Sequence, residues 1–176
     1  MSVLGKSEIV AALTRLGELA QREGLKVELL LLGGCAMVLG FEARLSTRDV
    51  DAVVVSPPDR APIRRLVETI AKERDWAPDW LNDGAKGFVT SLDAGKTVLV
   101  APGIRVRIPP LEALLAMKLC AWRDDLDIAD ARRLLSEIET SRQEGWVRVA
   151  KYLQPGRELK AKLAFDDLWE DVHGST

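Results

Sequence analysis

The chain has 176 residues, a length that suits one domain with a helical extension. Hydrophobic residues make up 47% and charged residues 30% of the sequence, which allows a buried core. The formal net charge of -2 gives no overall basic excess, so the composition does not favour broad nucleic-acid binding. The single histidine, His173, nearly excludes histidine-based catalysis and a histidine-ligated metal.

The cysteines and the apolar runs bear on the cellular compartment. Cys35 and Cys120 stand far apart in apolar contexts, without the spacing of a disulfide framework or a zinc motif. No apolar stretch reaches the roughly 18 residues of a membrane span, and the N-terminus lacks a signal-peptide pattern. We therefore expect a soluble cytoplasmic protein with no membrane partner.

The first half of the sequence alternates helical and strand patterns. The pattern over 7–22 predicts an amphipathic helix. The run VELLLL over 27–32 predicts a strand, because it is apolar and too short for a helix. Gly33-Gly34 then leads into a short helix over 35–40. The remaining predicted elements of this half are a loop over 41–48, a strand over 49–55, a helix over 61–74, a loop over 76–87, and a hairpin of strands 97–100 and 104–108.

The second half is helical throughout. Its predicted helices are 111–122, 128–140, 144–153 and 157–172. The sequence therefore predicts an α+β protein, with an α/β core over 1–108 and a helical extension over 109–176. Because Ile108-Pro109-Pro110 makes a short, stiff join, we expect the extension to pack on the core as one compact unit.

The strongest candidate for chemistry is the run Asp49-Val50-Asp51. Side chains two residues apart on a strand point to the same face, so the two carboxylates project side by side. Burying paired carboxylates without a counter-charge is costly, and a divalent cation such as Mg²⁺ removes that cost. The alternative is a pair of acids at a solvent-exposed strand end, which is the more frequent explanation of so short a motif.

Residues upstream of this aspartate pair suit an anion-binding site. Gly33-Gly34 lies between a strand and a helix, where glycine permits close backbone approach and helix N–H groups attract anions. Arg44, Thr47 and Arg48 lie in the loop before the pair, and arginines beside paired acids suit triphosphate recognition. The alternatives are an ordinary helix-start turn and a solvated loop.

The run LLGGCAMVLGFEARLSTRDVDAVVV resembles the first motif of the nucleotidyltransferase (DNA polymerase beta) superfamily, with strand, Gly-Gly, short helix, then Arg-x-x-Thr-x-Asp-x-Asp. It is especially similar to the abortive-infection (AbiEii-type) and MenT-like toxin group, whose downstream signature resembles LEALLAMKLCAWRDDLDIADARRLL. The resemblance implies a minimal nucleotidyltransferase fold, a small mixed sheet flanked by helices, followed by a C-terminal helical half.

The resemblance also implies roles for individual residues. Asp49 and Asp51 would be catalytic and hold Mg²⁺ or Mn²⁺. The nucleotide would be bound by Gly33, Gly34, Arg44, Thr47 and Arg48.

The second motif contributes a lysine and two acids. Lys118 would be catalytic through a contact with the triphosphate, and Asp127 or Asp130 would order that lysine or shape the nucleotide pocket. Alternatives stay open here. Lys118 lies in an apolar stretch and can be a surface residue whose stem covers apolar area. The aspartates can be capping and first-turn acids of the following helix.

The activity that the resemblance implies is transfer of an NMP from an NTP to an acceptor. The acceptor would be a tRNA or another RNA, a protein or a small molecule, and a toxin of this group would have a cognate antitoxin. One departure favours the alternative of a degenerate domain that binds a nucleotide or a partner without catalysis. Superfamily enzymes usually carry a third carboxylate on a neighbouring strand, and the candidate strands TVLV and IRVRI contain none.

Overall fold

The computed structural model describes residues 3–93 and 95–174. These residues form seven α-helices and seven β-strands, which confirms the predicted α+β class. The chain divides into two compact units. The described residues of unit 1 fall within Met1–Lys86 and Ala94–Pro109, and those of unit 2 within Gly87–Asp93 and Pro110–Thr176. Packing of the two halves as a single compact unit stays a prediction.

Unit 1 contains three helices and the strands. Its elements in chain order are β1 (Leu4–Gly5), α1 (Lys6–Arg22), β2 (Val27–Leu31), α2 (Gly33–Gly40), β3 (Ser46–Thr47), β4 (Val50–Ser56), α3 (Ala61–Arg74), β5 (Leu81–Asn82), β6 (Thr97–Ala101) and β7 (Ile104–Arg107). The helices and the longer strands begin and end within two residues of the predicted positions, a difference within the fraying of element ends.

Five strands form a mixed sheet in the order β5-β4-β2-β7-β6. The central strand β2 is antiparallel to β4 and parallel to β7, while β5 is parallel to β4 and β6 is antiparallel to β7. Leu29, Leu30 and Leu31 of β2 are all buried. A continuous apolar run rather than alternation is typical of a strand that is covered on both faces.

Two regions predicted as loops contain short strands. Ser46–Thr47 pairs with Leu4–Gly5, so β3 and β1 form a two-stranded sheet. Leu81–Asn82 pairs in parallel with Val50 and Asp51 at the edge of the larger sheet. The loop predictions are wrong at these positions, because a two-residue strand is made by pairing with a distant segment and leaves no local pattern.

Trp80 holds the edge strand β5 in place. Its side chain is 3% exposed, and its indole Nε1 donates to the Val67 carbonyl oxygen on α3 at 3.0 Å. Its own carbonyl oxygen accepts from Val50 N at 2.7 Å. A segment with little apolar pattern is therefore fixed beside the start of β4.

Unit 2 contains the helices α4 (Leu111–Ala121), α5 (Asp125–Leu135), α6 (Arg142–Ala150) and α7 (Glu158–His173). The predicted bounds of the second of these helices are wrong at both ends. It begins at Asp125 instead of 128, because the Asp124 side chain caps it by accepting from Asp127 N at 2.9 Å, and it ends at Leu135 instead of 140. Leu115, Leu134 and Phe165 are fully buried in this unit. Across residues 3–93 and 95–174, no helix combines the length and the apolar character needed to cross a membrane.

Candidate active site

The aspartate pair lies at the N-terminal end of β4 in unit 1. Asp49 and Asp51 are partly exposed, whereas Val50 between them is fully buried. This alternation is what a strand with one accessible face and one buried face produces. The two carboxylates therefore share the accessible face at the start of the strand.

The glycine pair approaches both the aspartate pair and β3. A Cβ built on Gly33 would lie 2.6 Å from Asp51 Oδ2. A Cβ built on Gly34 would lie 2.5 Å from Thr47 Oγ1 and 3.4 Å from Arg44 Nη1. Gly33 also has a φ of 55°, a left-handed conformation that glycine adopts without strain. The fold thus brings five of the predicted site residues together, and two of them leave no room for a side chain.

Replacing Gly34 by alanine should push Thr47 out of place. The added methyl group would meet Thr47 Oγ1 at 2.5 Å, well inside van der Waals contact. Overpacking of this kind costs about 1–3 kcal/mol, and we expect that loss in the free energy of unfolding measured by urea titration. The double variant Gly34→Ala/Thr47→Ala removes the hydroxyl and should recover most of the loss. A double variant no more stable than Gly34→Ala would contradict the proposed clash.

Two groups of the segment after Trp80 bind the aspartate carboxylates. Asn82 Nδ2 donates to Asp49 Oδ2 at 3.0 Å, and Ala85 N donates to Asp51 Oδ1 at 3.2 Å. Asn82 was not among the predicted site residues, because the sequence of this segment indicates a loop. The Asn-Asp-Gly run, which is typical of a turn closed by an Asn side chain, was the available signal.

The strands beside β4 place no acid next to the aspartate pair among the described residues. The neighbours of β4 are β2 and β5. The acid of β2, Glu28, is paired with Ser56 at the opposite end of β4, and Arg107 of β7 binds its carboxylate. The sequence runs TVLV and IRVRI fall on β6 and β7, neither of which adjoins β4, so they were the wrong strands in which to seek a third acid.

Asp49 and Asp51 suit a metal ion that takes its remaining ligands from water and from a bound phosphate. Within residues 3–93 and 95–174, no group of three or more His, Cys, Asp or Glu side chains is arranged to hold a metal ion. Mg²⁺ is commonly bound through one or two carboxylates, with water and substrate phosphates as the other ligands. Asp49 and Asp51, with the glycine pair beside them, fit that kind of site.

The predicted arginines differ in their settings. Arg44 is partly buried and its guanidinium lies near Gly34. Arg48 is exposed, next to Asp49 in the chain. Arg107 lies on β7, one of the strands considered for a third acid. It binds the Glu28 carboxylate on the neighbouring strand β2. Arg44 is therefore the better-placed cation for a ligand at the glycine pair.

Lys118 lies in unit 2, on α4, and it is buried. Its Nζ is 3.0 Å from Asp127 Oδ1 and 2.7 Å from Asp130 Oδ2. The Lys118 side chain is 8% exposed and both aspartate side chains are 2% exposed, so Lys118 is not a surface lysine. Both aspartates of α5 thus order the Lys118 ammonium. Its contact with a triphosphate stays a prediction.

Arg123 adds a second cation to Asp127. Its Nε lies 3.0 Å from Asp127 Oδ2, and its backbone N donates to the same oxygen at 3.2 Å. Burial acts to raise the pKa of Asp127, but the hydrogen bonds from Arg123 and Lys118 outweigh it and lower that pKa from 3.8 to about 2. The carboxylate is therefore held ionised inside unit 2.

The depressed pKa of Asp127 should make unit 2 sensitive to acid. Because the folded pKa lies below the unfolded one, the stabilisation is fully present above about pH 4 and is lost as the pH falls toward 2. A shift of this size corresponds to about 2 kcal/mol. Between pH 5 and pH 2, the free energy of unfolding should fall more in the unaltered protein than in Asp127→Asn. Equal decreases in the two proteins would contradict this assignment.

Comparison with known proteins adds no family to this geometry. No family model matches the sequence, and no match to the chain was found among the curated proteins or the solved structures. The nucleotidyltransferase resemblance therefore depends on the residues of the two motifs and stays a prediction.

Proposed function

We propose that the chain is a metal-dependent nucleotidyltransferase that moves an NMP from an NTP to an acceptor hydroxyl. The strongest support is the close approach of Gly33-Gly34 to Asp51 and Thr47 in unit 1. The space beside the two glycines is too small for any side chain. A backbone that phosphates can approach, set beside paired carboxylates, meets the basic requirement of phosphate transfer. The minimal nucleotidyltransferase fold is part of the same proposal.

In this proposal Asp49 and Asp51 hold Mg²⁺ or Mn²⁺, which neutralises triphosphate charge as a Lewis acid when bound. Gly33 and Gly34 let the phosphates reach the N-terminal N–H groups of α2, which stabilise negative charge. Arg44 balances the charge that grows on the leaving pyrophosphate, and the exposed Arg48 adds to the same field. The acceptor hydroxyl oxygen would attack the α-phosphorus, the bond from the α-phosphorus to the bridging oxygen would break to release pyrophosphate, and the hydroxyl proton would pass to solvent water.

The position of a radioactive label tests the reaction. The protein would be incubated with Mg²⁺, total cellular RNA or protein, and each of the four NTPs labelled at either the α or the γ phosphorus. The α label should appear on the acceptor while the γ label is released as pyrophosphate. Transfer of the γ label instead would indicate a kinase. Transfer of no α label from any NTP would contradict the proposed reaction.

The same assay identifies the acceptor class. Loss of the α label after ribonuclease digestion would indicate RNA, including tRNA, and loss after protease digestion would indicate protein. A toxin role would appear as growth arrest on expression that Asp49→Asn relieves and that a cognate antitoxin suppresses. Growth unaffected by expression would remove the toxin role but would leave the enzymatic proposal intact.

Among the described residues, the strands that adjoin β4 carry no acid next to the aspartate pair, and this favours a second candidate function. This is a non-catalytic domain that binds a nucleotide or a protein partner. Such a domain would show a higher melting temperature with NTP and Mg²⁺ without any transfer of the α label. Transfer together with stabilisation would favour the enzyme.

A further inference from the structure

Asn82 is held in one orientation by its hydrogen-bond partners. Its Nδ2 donates to Asp49 Oδ2 at 3.0 Å and to the Asp79 carbonyl oxygen at 3.3 Å, while its Oδ1 accepts from Gly84 N at 2.7 Å. A backbone N–H needs an acceptor and a carboxylate needs a donor, so these partners distinguish the two ends of the amide. Turning the amide over would break all three bonds.

The same short segment also reaches the second carboxylate. Ala85 N donates to Asp51 Oδ1 at 3.2 Å. A Cβ built on Gly84 would lie 2.8 Å from Asn82 Oδ1 and 3.4 Å from Asp51 Oδ1, so the backbone passes close to both side chains. Since Trp80 fixes the start of this segment, both aspartates are oriented from one anchored piece of chain.

The neutrality of the Asn82 amide matters at this position. Two adjacent carboxylates already repel one another, and an acid in place of Asn82 would add a third negative charge and no donor. The amide instead gives Asp49 a hydrogen bond through Oδ2 and adds no charge. Asn82 therefore orients the Asp49 carboxylate without adding to the electrostatic repulsion between Asp49 and Asp51.

We infer that Asn82 is a positioning residue that fixes the Asp49 carboxylate for metal binding, an inference that rests on the proposed function. Carboxylates that bind metals are commonly oriented by hydrogen-bond partners, and loss of such a partner typically weakens metal affinity by about 10–100-fold. The anchor at Trp80 and the turn closed by Gly84 are what allow a two-residue edge strand to perform this task.

Titration with Mn²⁺ alone, followed by electron paramagnetic resonance, tests the inference without requiring turnover. In Asn82→Ala the dissociation constant should rise by about 10–100-fold, with the number of sites per chain unchanged. Asn82→Ser, which can still close the turn with Gly84 N but has no amide N–H for Asp49, should show the same loss. The neighbouring Asp83→Ala is the matched control, because Asp83 is exposed and faces Arg60 at 3.9 Å, and it should change the affinity far less.

The readout separates positioning from folding and separates two kinds of failure. If Asn82 only supported the fold, its replacement would lower the number of Mn²⁺ sites per chain and leave the dissociation constant of the remaining sites unchanged. That result would overturn the inference. Equal affinities in the unaltered and Asn82 proteins would also overturn it, and would leave the proposed metal site standing. No Mn²⁺ binding by the unaltered protein would overturn the proposed site together with the inference.

Discussion

Replacing both Asp49 and Asp51 by asparagine should reduce transfer of the α label by at least about 10³-fold. A metal ion contributes several kcal/mol to stabilising the transferring phosphate, and about 4 kcal/mol corresponds to a thousandfold change in rate. The variant should also lose any rise in melting temperature that NTP and Mg²⁺ give to the unaltered protein. Initial rates and melting curves, recorded in parallel on the same preparations, check both effects.

The fold should survive this double replacement. Asparagine keeps a side-chain oxygen that can accept from Asn82 Nδ2 at position 49 and from Ala85 N at position 51, so the ligand-free variant should stay folded, as its far-ultraviolet circular dichroism would show. Asp75→Asn is a matched control, because Asp75 is exposed at the end of α3 and its φ of 54° suits asparagine. The control should keep full activity. A double variant that retained transfer would contradict the assignment of the aspartate pair.

Replacing Lys118 by methionine should destabilise unit 2 by about 3–5 kcal/mol. Methionine matches the length of the lysine stem but leaves Asp127 and Asp130 buried with one cation fewer, and breaking a buried ion pair on one side has a cost of this size. The Lys118 ammonium lies within 3.0 Å of both carboxylates, so its loss removes a direct partner of each. Urea titration with a far-ultraviolet circular dichroism signal measures the loss.

Lys151→Met is the control for this replacement. Lys151 is an exposed residue of the same unit, and substitutions at such positions usually change stability by less than about 0.5 kcal/mol. A loss below about 1 kcal/mol in Lys118→Met would contradict the account of the buried cluster. Because the variant is expected to be unstable, its catalytic rate should be compared at a temperature at which circular dichroism shows it folded.

Local patterns were sufficient for most of the fold. The apolar run of β2 and the helical periodicity of α1 and α3 arise from neighbours in the chain, so a sequence read in short windows reveals them. The strands β3 and β5 are different. Each consists of two residues whose conformation is set by a partner far along the chain, and neither carries a strand pattern of its own.

The site divides in the same way. The glycine pair and the aspartate pair could be predicted because each is a short run of neighbouring residues. The contacts of Lys118 with α5 are also local, since they span only 9 to 12 residues. The contact of Asn82 with Asp49 spans 33 residues and depends on the order of strands in the sheet. That order also separates β6 and β7 from β4, contrary to the expectation that the run TVLV or IRVRI forms the strand beside the aspartate pair.

The most direct test of the carboxylate site is a crystal of the protein grown with Mn²⁺ and a non-hydrolysable NTP analogue, examined by anomalous scattering. The proposed site predicts a Mn²⁺ peak in contact with both Asp49 and Asp51, with the phosphates of the analogue beside Gly33-Gly34. A peak that touches neither aspartate, or analogue phosphates bound away from the glycine pair, would contradict it.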